Sequence, residues 1–218
     1  MLKQFQIERY VFLFLLVSLQ FFVSCQNAAG TGQVISNGNS RTSNSSDPIA
    51  GNAEITSLAD LGPLMDFSLT DQNGRTVTLT DLKGKVWVAD FFFTSCQGAC
   101  PIMTGQMAKL KRNLGSEGLH LLSISVDPAV DTVEKLADYA KQFDAKDDWR
   151  FVTGEKSKII ELSVKGFRLS ADEDPSSHSQ RLVLIDRDSH IRGYYHVERE
   201  NEMKLLEENA KELLTNSK

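Results

Sequence analysis

Apolar residues recur along this chain in two rhythms, one suited to buried strands and the other to helices packed on them. The run KVWVADFFF (Lys85 to Phe93) is apolar on both faces and rich in β-branched and aromatic residues, which predicts a buried central strand. LHLLSISV (Leu119 to Val126) and Trp149 to Thr153 predict two more. Between the first two, Met103, Met107, Leu110 and Leu114 recur at three- and four-residue spacing. They predict a helix opened by Pro101 and closed by Gly115 and Gly118. Asp131-Thr132-Val133-Glu134 resembles a capping box and introduces a helix with Leu136, Tyr139, Ala140 and Phe143 inward. A short helix through Ile159, Ile160 and Leu162 follows the third strand.

Ahead of this unit, Leu64 to Thr70 and Thr76 to Thr80 read as short strands joined by the turn DQNG. After it, RLVLID (Arg181 to Asp186) and HIRGYYH (His190 to His196) predict a hairpin across Arg187-Asp188-Ser189. A last helix, Glu200 to Leu214, would bury Met203, Leu206, Ala210 and Leu213. Strands alternating with helices and ending in a hairpin plus helix predict an α/β fold. The expected form is a three-layer α/β/α domain with a central mixed sheet and an N-terminal β-hairpin. Its element order is similar to that of thioredoxin.

The N-terminal residues change the picture by setting a compartment. Lys3 and Arg9 precede an apolar run from Tyr10 to Val23, and Ser24-Cys25 follows. That order reads as a secretion signal. The run makes only about 21 Å of helix against roughly 30 Å of hydrocarbon. FVSC resembles the lipobox of bacterial lipoproteins, with Phe22 in place of the usual aliphatic residue. Residues 1–24 are therefore expected to be a lipoprotein-type signal peptide, with Cys25 lipidated after cleavage. An uncleaved anchor interrupted by Gln20 is the alternative. Either reading puts the rest on the extracytoplasmic face of a bacterial membrane, the periplasmic side, and tethered to it. Residues 25–56, rich in Asn, Ser, Gly and Thr, have too little apolar surface to offset ordering entropy and are expected to be a flexible tether. Residues 57–218 then form one domain by length. The formal net charge of −5 and the lack of a basic run argue against a nucleic-acid partner.

If Cys25 carries lipid, the domain has only Cys96 and Cys100, three residues apart in CQGAC and followed by Pro101. In an oxidising compartment such a pair becomes a disulfide unless a reductant or a metal holds it. Proline suits the first helical position, and the residue before it avoids helical geometry, which predicts Cys100 at the N-cap. Unpaired N–H groups there favour a thiolate, both the nucleophile of disulfide exchange and a ligand for soft metals. An inert staple would close so short a loop that it gains little. At this point redox exchange and metal binding both remain open.

A third ligand would separate them. His120, His190 and His196 lie in or at the ends of predicted strands and read as ordinary edge or loop residues. His178 lies in the polar loop ADEDPSSHSQ that feeds RLVLID. Loops at strand ends are where functional groups of α/β sheets gather. Thioredoxins carry a proline just before this strand, where this chain has Ser179, Gln180 and Arg181. Asp90, in an otherwise apolar strand, is expensive to bury unless paired. It is a candidate for moving protons to or from the thiols, or else a carboxylate bonded to backbone at the sheet end. Asp127 and Asp131 are expected in turn and cap roles rather than as metal ligands.

KVWVADFFFTSCQGACPIMT, SISVDPAVDT and HSQRLVLIDRDSHIRGYY, in that order, resemble the Sco/SenC proteins over roughly residues 60 to 215. The resemblance implies a membrane-tethered, thioredoxin-like domain. It would bind one copper ion through Cys96, Cys100 and His178 and serve assembly of the dinuclear copper centre of cytochrome c oxidase. It also implies, as partners, the copper-receiving oxidase subunit and either a thiol reductant or an upstream copper donor. Gln97 stands where many members have proline, and Ser177 where many have aspartate. Two thiolates and an imidazole suit copper(I), and with copper(II) they resemble sulfur-rich electron-transfer sites, while zinc prefers a fourth ligand. The competing reading is a thiol-disulfide oxidoreductase, with Cys96 and Cys100 as a redox-active disulfide, that keeps the oxidase cysteines reduced. Peroxide reduction fits less well, because neither FTSC nor CQGAC puts a Thr or Ser three residues before a reactive cysteine.

Overall fold

The computed structural model describes residues 58–216. The expectations for the signal segment, Cys25 and the tether lie outside these residues. Among those described, no helix is long and apolar enough to cross a membrane.

The strands are β1 (Ser68–Asp71), β2 (Thr76–Thr78), β3 (Trp87–Phe92), β4 (His120–Ser125), β5 (Trp149–Thr153), β6 (Arg181–Ile185) and β7 (Ile191–His196). They form one sheet in the order β2-β1-β5-β4-β3-β6-β7. The three apolar runs pair parallel at its centre, with Trp87 opposite His120 and Leu121 opposite Trp149. Hairpins close both sides antiparallel. The helices are α1 (Leu79–Leu82), α2 (Cys100–Leu114), α3 (Val133–Lys141), α4 (Lys156–Glu161) and α5 (Glu200–Thr215).

Strand alternation divides β3 between two cores. Val88 and Phe92 pack with Met103, Met107, Leu136, Ala140, Leu206 and Ala210, so α2, α3 and α5 cover one face. Trp87, Ala89 and Phe91 pack with Leu79, Leu82, Ile159 and Phe167 on the other. This is the expected three-layer, thioredoxin-like α/β arrangement.

Two strands are shorter than their patterns predict. The second stops at Thr78, whose N–H and hydroxyl both donate to the Asp81 carboxylate, each at 2.8 Å, and so start α1. The first begins only at Ser68. The chain before it runs along the β6–β7 turn, where Leu61 N–H donates to Ile191 O and Leu64 N–H to Ser189 O. Arg192 donates to the carbonyls of Leu58 and Ala59, and Asp60 meets His190 Nδ1 at 2.8 Å. Gly166, in the π-helical turn Leu162–Gly166, lies so close to Met65 that a Cβ would come within 2.8 Å of its Cγ.

Candidate metal centre

The centre is built where β3 and β4 end. Beyond Phe92 the chain folds into a tight turn, with Cys96 N–H donating to Phe93 O at 3.3 Å. Cys96 is half-buried and sits above the start of α2. Cys100 is 1% exposed and points into the core beneath. β6 runs antiparallel to β3, so the loop before β6 arrives beside the end of β3. That register brings His178 against Phe93, ring edge to ring face at 5.7 Å.

The decisive contact joins residues 78 positions apart. Cys100 Sγ lies 3.4 Å from His178 Nε2, and His178 Nδ1 lies 3.0 Å from Ser179 O. A carbonyl only accepts, so Nδ1 carries the proton and Nε2 presents its lone pair to the sulfur. Burial, partly offset by the Ser179 carbonyl, lowers the His178 pKa and keeps the ring neutral. A neutral imidazole held through one nitrogen with the other free is what metal ligation requires.

The thiols differ from the expectation in one respect. Ala99 is the N-cap of α2 with helical backbone angles, and Cys100 is already the first helical residue. The helix thus overrides the usual restriction on a residue before proline. Burial pushes the Cys100 thiol up to about 12, and the adjoining Cys96 thiol and the Asp90 charge add to the effect against a single opposing backbone bond from Phe93. The N–H groups at the helix start serve Cys96 instead. Burial opposes its ionisation, but the Cys100 thiol and the N–H groups of Cys100, Gly98 and Ala99 outweigh it and lower its pKa. Gly98 N–H reaches Cys96 Sγ at 3.4 Å.

Both cysteines are free thiols here. The expected ligands are linked in pairs, Cys96 to Cys100 and Cys100 to His178. No three His, Cys, Asp or Glu side chains among the described residues are gathered into a closed metal cage. The donor chemistry nevertheless fits a soft ion, since the set offers two sulfurs and a neutral imidazole nitrogen, with Cys100 sulfur in contact with each of the other two.

Asp90 is fully buried on the sheet face that α2 covers, opposite Ser123 in the β3–β4 register. Neither oxygen makes a well-formed hydrogen bond. Burial pushes its pKa up to about 7, against a smaller downward pull from the Ser123 hydroxyl. It lies inside β3, two residues before the strand ends, and its own backbone N–H adds a second, smaller downward pull.

Asp127 takes the expected turn role, its carbonyl accepting from Val130 and Asp131 N–H. Asp131 does not cap the next helix. Thr132 does, its hydroxyl accepting from Lys135 N–H at 3.3 Å. Asp131 is fully buried and faces the cysteine loop, a role that its place in DPAVDT does not advertise. Ser177 donates to Asp172 Oδ1 and to Asp174 O, bracing the loop that carries His178. The other histidines lie elsewhere. His120 starts β4, His190 pairs with Asp60, and His196 Nδ1 accepts from Glu198 N–H.

The fold is shared with known proteins. The SCO1/SenC family model matches residues 59–214. A SCO1/SenC family lipoprotein from Bacillus anthracis str. Ames is 33% identical, with a TM-score of 0.64, over 69% of this chain and 94% of that one. BsSco, a member of the Sco family of cytochrome c oxidase assembly proteins in which a disulfide switch was identified, is 30% identical. It has a TM-score of 0.64 over 73% of this chain and 98% of its own. Bradyrhizobium japonicum ScoI with copper bound is 25% identical, with a TM-score of 0.57, over 70% and 99%. With nearly its whole described domain matched by the family model, this chain belongs to the SCO1/SenC family.

Proposed function

We propose that this protein is a copper-binding assembly factor for the dinuclear copper centre of cytochrome c oxidase, holding one copper ion as cargo on Cys96, Cys100 and His178. The observation that carries the reading is the 3.4 Å approach of Cys100 Sγ to a neutral His178 Nε2 whose other nitrogen is held by Ser179. Copper-bound ScoI and the oxidase-assembly role of the Sco family that includes BsSco support it. Loading would displace the remaining thiol protons, and Asp90, buried beneath Cys100, is the candidate to accept one. The partners are the copper-receiving oxidase subunit and an upstream copper donor or thiol reductant. The domain works on the extracytoplasmic face, on the tether 25–56 that starts at lipidated Cys25, a reading supported by the similar SCO1/SenC family protein that is a lipoprotein.

His178→Ala in the full chain, titrated with copper(I), tests the ligand set. A structural metal site shares roughly 10–16 kcal/mol among four ligands, or about 3 kcal/mol each. Affinity should therefore fall by about a hundredfold. Unchanged affinity together with intact oxidase assembly would sink the reading.

A second reading rests on the asymmetry of the thiols. Cys96, accessible and lowered in pKa, is suited to attack a target disulfide, forming a mixed disulfide and releasing the target's first thiolate. Cys100 then loses its proton and attacks Cys96 sulfur. The target's second thiolate leaves, and two electrons have passed to the target. This exchange needs no His178, so a His178→Ala variant with full reductase activity but no oxidase assembly would separate the two.

A further inference from the structure

The turn that carries Cys96 has its own support. Thr94 is the second residue of that turn, between Phe93, whose carbonyl accepts from Cys96 N–H, and Cys96 itself. Both donors of Thr94 go to one carboxylate. Its N–H donates to Asp131 Oδ2 at 2.9 Å, and its hydroxyl to Asp131 Oδ1. The same Oδ2 accepts from the Ser125 hydroxyl at 2.7 Å, at the end of β4. Lys135 Nζ stands 3.8 Å away on α3. Asp131 is fully buried and 37 residues from Thr94, so this is a built tertiary contact.

Burying a carboxyl group is costly unless donors satisfy it, and here two of three donors come from the residue that sets the turn. The third anchors it to the sheet, which β4 makes rigid by pairing with β3 and β5. The Cys96 turn is thus bolted to the sheet through Asp131, whereas Cys100 and His178 are held by their own helix and loop. Among the described residues, no other carboxylate is hydrogen-bonded to the turn Phe93–Cys96.

We propose that Asp131 is a positioning residue for the copper and dithiol chemistry: through Thr94 it fixes the turn that sets Cys96 sulfur toward Cys100 and His178. It touches neither the ion nor a sulfur. The inference rests on Cys96 being a ligand or redox thiol. Its consequence is that the loop SVDPAVDT serves the centre without supplying a ligand.

The test uses the full chain and four variants. Asp131→Asn keeps the shape but loses the charge and one accepting oxygen. Thr94→Val keeps the carboxylate and removes only the hydroxyl. Ser125→Ala loosens Asp131 from the sheet side without touching the turn. Cys96→Ser removes the sulfur. Copper(I) affinity and the midpoint potential of the Cys96–Cys100 couple are measured on protein shown to be folded. Groups that orient a ligand typically change affinity by about 10–100-fold. Asp131→Asn and Thr94→Val should each weaken copper by about tenfold and shift the potential in the same direction. Ser125→Ala should lower the melting temperature with a smaller change in either reading. If Thr94→Val and Asp131→Asn lower only the melting temperature while Cys96→Ser abolishes tight copper binding, the positioning role fails and the ligand assignment stands. If Cys96→Ser leaves copper affinity and oxidase assembly intact, the ligand assignment itself fails. Should Asp131→Asn not fold, Thr94→Val alone decides, because its polar loss is a single hydroxyl.

Discussion

The turn that carries Cys96 and the helix start that carries Cys100 lie four positions apart, yet they treat the same functional group in opposite ways. At Cys96 the sulfur sits over the N–H groups of Gly98, Ala99 and Cys100, at the edge of solvent, and its pKa falls. At Cys100 the sulfur enters the core beside Met103 and Phe92, with the buried Asp90 nearby, and its pKa rises to about 12. A helix N-terminus therefore stabilises the anion that lies above its N–H groups, not automatically the residue that begins it. Side-chain direction decides, because Cys100 as the first helical residue points back into the protein. The pair is thus unequal before any ion arrives, with one thiol ready to ionise and one that gives up its proton only when a cation or an attacked disulfide compensates the charge.

The largest effect expected on this asymmetry comes from Asp90, which lies under Cys100. An aspartate in an unfolded chain titrates near 3.9, and Asp90 is pushed up to about 7. Below about pH 4 the carboxyl is protonated in both states and costs nothing. Between about 4 and 7 only the unfolded chain ionises, so stability falls as pH rises, and above about 7 the loss is complete. Three units correspond to about 4 kcal/mol. Asp90→Asn should match the wild type in urea unfolding near pH 4 and gain up to about 4 kcal/mol at pH 8. It should also lower the Cys100 pKa by removing a neighbouring charge. Parallel stability curves at the two pH values would show that Asp90 is not held protonated.

Reactivity is the next test, on reduced metal-free protein with limiting iodoacetamide at pH 7.5. A thiol pushed up to about 12 carries more than about a thousandfold less thiolate than an ordinary one near 8.5, and Cys96 is lowered from its ordinary value. The weaker nucleophilicity of the more acidic thiol gives back part of this, and burial of Cys100 removes access. Peptide mapping should find Cys96 modified on the order of a hundredfold faster. Equal modification would mean that the two environments do not differ as described, and faster modification of Cys100 would reverse the redox roles.

Much of this molecule was legible in the sequence because its core strands and helices carry long, uninterrupted patterns. β3, β4, β5 and the helix after Pro101 follow from apolar periodicity alone, and the mixed sheet follows from their order. His178 could be singled out because it lies in a polar loop immediately before a buried strand. The errors lie where one hydrogen bond outweighs a pattern. Thr78 looked like strand but caps α1 through Asp81. Asp131 looked like a cap residue one position before the real cap, Thr132. Its true partners, Thr94 and Ser125, are set by tertiary proximity that no local spacing encodes. Cys100 was displaced by one position, enough to exchange the electrostatic fates of the two thiols. The first strand was expected from Leu64 but begins at Ser68, and the strap from Leu58 to Leu64 ahead of it carries no strand pattern. It is held instead by arginine side chains that bond to its carbonyls, a device without periodicity.

The smallest effect isolates the backbone donors themselves. Gly98 N–H donates to Cys96 Sγ at 3.4 Å, one of three such groups that lower its pKa. Gly98→Pro removes this donor, whereas Gly98→Ala keeps it, and an added Cβ would stand 3.9 Å from the sulfur, an ordinary contact. A hydrogen bond to a charged group contributes about 1.5–3 kcal/mol at full strength. At this length and exposure a fraction is expected, roughly 1 kcal/mol, or about a fivefold change. The pH at half-maximal alkylation of Cys96 should rise by about 0.7 in Gly98→Pro, since 1.36 kcal/mol is one unit, and stay put in Gly98→Ala. Were both variants to shift equally, loop conformation rather than the N–H would control the thiol. Were neither to shift, the remaining N–H groups of Ala99 and Cys100 would carry the effect, and the anion site at the head of α2 would be narrower than the full turn of backbone above it.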